Sequence, residues 1–207
     1  AEQAIHHARE AMAALGPDQP HGNRAGIHAK PHGQVIPAAL GQHQPGERQK
    51  QQAVAVGGLA GRLSQGLYSV ALGYQAAENN QAAACIAIGY QSGQISQQQW
   101  AMSIGYQAGM NNQATATIAI GYQAGFQSQS ATATAVGWQA GFRLQGRNAV
   151  AIGTQAGFTN QGASAIAIGT SAGYTGQGAS AVAVGSEAGS ISQGASAVAV
   201  GYQAGNQ

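Results

Sequence analysis

Charge is scarce in this chain: 7% of its 207 residues are Asp, Glu, Lys or Arg, and the net charge at neutral pH is +2. Such a balance exerts no strong pull on nucleic acid or anionic lipid, and no basic run is present to track phosphates. Cys85 is the lone cysteine, which excludes an internal disulfide framework and leaves the redox compartment unread. It falls in a repeat column otherwise filled by Ala, Ser or Thr, so it reads as a small space-filler. No run approaches the roughly 18–20 apolar residues of a membrane-spanning helix, so insertion into a bilayer is not expected. Aromatic residues make up 6%, and the 44% hydrophobic content is reached in large part by counting alanine. Large apolar groups are therefore scarce, unlike an ordinary globular composition.

All five prolines and all six histidines (His6, His7, His21, His28, His32, His43) lie within residues 1–52, with nine of the fourteen charges. Ile5, Ala8, Met12 and Leu15 fall at helical spacing, which predicts a short helix ended by Gly16-Pro17. From there to Gln52 the Gly, Pro, His and Gln residues show no periodicity and read as a linker or cap. Adjacent His6 and His7 point about 100° apart on a helix, and no tight i, i+4 pair exists, so no metal site is expected. No secretory signal is evident. The start at Ala1 and the stop inside a repeat at Gly205-Asn206-Gln207 read as a processed piece of something longer.

What the chain has instead is a period. A glycine recurs every sixteen residues at 57, 73, 89, 105, 121, 137, 153, 169, 185 and 201, so residues 53–207 form an array of one small unit. Counted from that glycine as the first position, the unit reads G-Y-Q-A-G-x-x-x-Q-G-A-S-A-V-A-I. Segments such as Ala165-Ile166-Ala167-Ile168 alternate with period two, which predicts a strand. Glycines at the first and fifth positions supply corners. The expected fold is an all-β parallel β-solenoid of ten sixteen-residue coils, about 48 Å long at strand spacing.

The fourteenth and sixteenth positions lie two apart and project to one side. The expectation is that their Val and Ile residues fill the interior, with Thr134 held there by a backbone hydrogen bond. The intervening alanines then form a smooth outer face, as at Ala165/Ala167. Two branched residues per coil make a thin core, which favours a homo-oligomer joined through that alanine face. The ninth position is glutamine from Gln65 to Gln193 without exception, predicting an amide ladder along the rod. One aromatic column runs through Tyr74, Tyr90, Tyr106, Tyr122 and Trp138, and a second through Phe126, Phe142 and Phe158. These rings are candidates for stacking on one another and for contact with a partner subunit, a glycan or another surface. Arg143 and Arg147, close in sequence to Phe142 and Trp138, are candidates for cation–π and charge contacts to an acidic ligand.

The run Ala165-Ile166-Ala167-Ile168-Gly169-Thr170-Ser171-Ala172 resembles the head repeats of trimeric autotransporter adhesins. Ala119-Ile120-Gly121-Tyr122-Gln123-Ala124-Gly125 is equally similar to repeats of phage and giant-virus tail-fibre-type proteins. The resemblance covers residues 53–207. It implies a left-handed β-roll, a trimer, an extracellular, cell-surface or virion location, and a structural or adhesive role toward a glycan, matrix or host-surface ligand. The period of sixteen departs from the adhesins' usual fourteen or so, and neck, stalk and anchor are missing. Ice-binding and ice-nucleating solenoids are the alternative, but Thr115/Thr117 and Thr132/Thr134 sit one position out of step, on opposite strand faces. No enzyme is expected. The array's charges, Arg62, Glu78, Arg143, Arg147 and Glu187, include no closely placed carboxylate pair, and no cofactor motif appears.

Overall fold

The computed structural model describes residues 52–206. The helix expected within Ala1–Leu15, the segment that follows it and the six histidines lie outside the described residues. From Val54 the chain is a parallel β-solenoid with no helix among the described residues. Ten three-residue strands, from Val54–Val56 to Val198–Val200, form one long sheet. Each pairs with the strand sixteen residues on, as in Val150↔Ile166, Ala151↔Ala167 and Ile152↔Ile168. A second sheet on the other side of the coil has seven strands, from Leu63–Gln65 to Thr159–Gln161, and continues only as single bridges at Thr175 and Ile191.

The ten glycines bound about nine complete turns, fewer than the ten coils expected, because Val54–Val56 precedes Gly57 and Gly201 only begins a further turn. At strand spacing this gives a rod of about 43 Å. The first-position glycine is demanded twice over. Its φ lies between 118° and 130° in all ten copies, a region closed to other residues. Except at Gly201, a Cβ there would also overlap the carbonyl of the next coil's glycine.

Corners are more numerous than two glycines per unit. The third, eighth and twelfth positions also adopt left-handed backbone, as at Gln123 (φ 51°), Ser128 (φ 57°) and Thr132 (φ 60°). Short polar side chains tolerate that conformation best, which suits the Ser and Asn residues of the eighth position.

The interior is the reverse of the sequence expectation. Ala71, Ala87, Ala119, Ala135, Ala151, Ala167 and Ala183 are fully buried, while the flanking Val and Ile columns point out of the coil. Thr134 accordingly sits on the outer face between Ile118 and Val150. Room inside explains the inversion. A Cβ placed on Gly157 would lie 3.2 Å from the methyl of Ala151, and one on Gly141 would lie 3.0 Å from that of Ala135. The coil is one methyl group thick at that level, too narrow for Val or Ile. Burial is thus achieved with alanine, glycine and the ninth-position glutamines, of which Gln97, Gln113 and Gln145 are 1% exposed.

Candidate interaction surfaces

With alanine inside, the long sheet turns two apolar columns to its outer face. They run Val54, Val70, Ile86, Met102 onward and Val56, Leu72, Ile88, Ile104 onward. Thr134 is the one polar residue among these twenty outward positions. Neighbouring coils cover their flanks, yet Leu72, Ile152 and Ile168 remain 44%, 39% and 38% exposed. At strand spacing the face spans roughly 400–500 Å² in projection, within the range of the largest apolar patch on a typical monomer, which is often functional.

Around the first-position glycine from this face stands the tyrosine column. Tyr74, Tyr90, Tyr106 and Tyr122 stack with centroids 5.5, 5.1 and 5.1 Å apart, and Trp138 closes the series 6.1 Å from Tyr122. Each inner ring has both faces occupied by its neighbours. What solvent meets is ring edges and hydroxyls, so a sugar or partner ring has no face to stack on except at the two ends. Phe126, Phe142, Phe158 and Tyr174 form the second stack, at 4.9–5.0 Å, half-buried over the opposite corner. The guanidinium of Arg143 lies 5.4 Å from the Phe142 centroid, a cation–π contact. Arg147 is exposed on the next corner, and Trp138 stacks on Tyr122.

Glutamine supplies two ladders. The ninth-position column lies inside the coil and spans it: Gln145 donates to the carbonyl of Thr134 (2.7 Å), and Gln161 to that of Val150 (2.7 Å). Amide-to-amide bonds join Gln81 to Gln97, Gln129 to Gln145, Gln161 to Gln177 and Gln177 to Gln193. At the other steps the amide donates to backbone or to Ser103, which leaves the Oε1 atoms of Gln81, Gln113, Gln129 and Gln161 without partners. The second ladder, at the third position, escaped the sequence reading. Gln91 donates to Gln75, Gln107 to Gln91, Gln123 to Gln107, Gln139 to Gln123 and Gln155 to Gln139, at 2.8–3.2 Å. Its signal was available as glutamine in six consecutive copies.

The sequence reading also left Arg62 and Glu78 unconnected, yet they share the sixth position of adjacent coils. Arg62 donates to Glu78 at 3.1 Å and Gln94 donates to the same carboxylate at 2.9 Å, a polar stack beneath the phenylalanine column. Cys85 is buried and its thiol donates to the carbonyl of Gln98 at 2.9 Å. Burial raises its pKa above the ordinary thiol value, outweighing the backbone hydrogen bonds that lower it. Among the described residues no group of three His, Cys, Asp or Glu is placed to hold a metal ion, and no helix is long and apolar enough to cross a membrane. Comparison of the chain with protein-family models, with curated proteins and with solved structures returns no match.

Proposed function

We propose that this chain is a rigid module of a surface fibre that self-associates through the Val/Ile face of its long sheet and presents its side-chain columns to an external surface. The observation that carries the reading is that face: an in-register apolar strip running the length of the rod and left partly exposed among the described residues. A second copy meets the need to cover it. The alanine face expected from sequence is already spent on the interior. The resemblance to adhesin heads and tail fibres favours a trimer, an extracellular or virion setting and an adhesive or purely structural role.

The test is the mass in solution. Light scattering at tens of micromolar is expected to give three chains per particle, and Ile120→Lys with Ile152→Lys to reduce it to one while the β spectrum persists. A wild-type monomer at that concentration overturns the proposal. The ice-binding alternative draws less support, because Thr117 is buried and Thr134 is the lone hydroxyl on the outer face. Thermal hysteresis in the wild-type protein would reverse that ranking.

A further inference from the structure

Five oxidisable rings stand in one unbroken column. Tyr74, Tyr90, Tyr106, Tyr122 and Trp138 occupy the second position of five consecutive coils. Successive ring planes lie 19°, 6°, 6° and 12° from parallel, with centroids 5.1–6.1 Å apart. Each ring is therefore stacked on the next over four strand spacings, about 19 Å. All five side chains are exposed, so water is at hand to take a proton from the phenols or the indole.

The second stack provides the contrast. Phe126, Phe142 and Phe158 are as closely spaced, but a phenyl ring gives up an electron far less readily than a phenol or an indole. Tyr174 stacks on Phe158 at 4.9 Å, and so has no redox-active neighbour within that stack. The rod thus holds one column whose members can exchange an electron and another, equally well ordered, in which Tyr174 has no partner for it. The first column also has a direction. At neutral pH an indolyl radical oxidises a phenol, so Trp138 is its uphill end.

We propose that the column is a one-electron relay that takes an oxidising equivalent at Trp138 and passes it down to Tyr74. A diffusible one-electron oxidant, a radical or a high-valent metal complex, removes one electron from Trp138, and the indole proton goes to water. Tyr122 then supplies an electron to the indolyl radical. The indole nitrogen takes back a proton from water and the Tyr122 phenol releases one, so the step leaves no net charge. The exchanges from Tyr106 to Tyr122, Tyr90 to Tyr106 and Tyr74 to Tyr90 each move one electron and one proton between identical groups. The phenoxyl radical is shared over four coils until an external reductant returns an electron and water returns the proton. This activity lies beyond surface binding and does not rest on self-association.

The chain has two tryptophans, Trp100 and Trp138, so Trp100→Phe leaves Trp138 as the sole indole. The full chain carrying that change is oxidised by pulse radiolysis with azidyl radicals, which attack indoles in preference to phenols. The expected result is an indolyl absorption that decays as a tyrosyl absorption grows, at a first-order rate independent of protein concentration. Tyr122→Phe keeps the ring and the stack but removes the first electron donor, and is expected to lose that coupled growth. Tyr106→Phe is expected to retain it while cutting Tyr74 off. A nitroso spin trap located by peptide mass spectrometry reads this as loss of adduct on Tyr74 with the Tyr122 adduct kept, and Tyr174 gives the level of direct attack. Unchanged melting shows that both variants hold the coil. The proposal is overturned by indolyl decay without tyrosyl growth, or by a rate that scales with protein concentration. Coupled growth at the parent rate in Tyr122→Phe, or equal trapping on Tyr74 in Tyr106→Phe, overturns it as well.

Discussion

A single residue decides whether a coil can be laid on the next. Gly121 combines a φ of 128° with the carbonyl of Gly137 where a Cβ would go, whereas Gly201 has a similar φ of 118° and open space around it. Gly121→Ala is therefore expected to lower stability by more than about 3 kcal/mol and Gly201→Ala by about 1–2 kcal/mol, read from urea unfolding. Equal costs would mean that conformation alone, and not contact between coils, selects the glycine. Cys85 makes a second case. Its buried thiol, with a raised pKa, is expected to resist alkylation in the native protein and to react fully after denaturation. The sign of the shift also sets a pH dependence. The folded state holds the thiol proton more tightly, so this stability is present below the unfolded thiol's pKa of about 8.5 and is lost as pH rises through the folded value.

At the level of the repeat unit, the two glutamine ladders differ in what surrounds them. Gln145 is buried, bonds to the carbonyls of Thr134 and Ala149 and accepts from Gln129, so Gln145→Leu strands several buried groups at once. Gln123 is half-buried and exchanges bonds with Gln107 and Gln139 where water can replace them. The expected losses in denaturant unfolding are about 2–4 kcal/mol for Gln145→Leu and about 1 kcal/mol for Gln123→Leu. A reversed order would show that the interior ladder is not a principal cross-brace of the coil. The invariance of the ninth-position glutamine was plain from the sequence. Its place inside the coil was not, because glutamine is usually an exposed residue and nothing local states how thin the interior is.

Over the whole molecule, stability is a sum of coils and of the contacts between neighbours. Each coil buries methyl groups and amides, and the larger apolar side chains lie on the outer face of the long sheet. The double lysine substitution at Ile120 and Ile152 thus tests the molecule at its own scale: it leaves the packing within each coil untouched and alters the surface proposed to join copies.

The residues alone determined the period, the strand at positions fourteen to sixteen, the aromatic stacks and the polar column. Each follows from identities repeated at a fixed spacing, which local chemistry can read. The pairing of positions fourteen and sixteen on one face was equally legible, since side chains alternate along any strand. Which face that would be was not. Hydrophobicity argues for Val and Ile inside, but Ala135 faces Gly141 across a gap that admits a single methyl group, and that distance exists only once both sheets are in place. The tertiary structure settled the matter by size: the narrow interior took the small side chains, and the large ones became the surface.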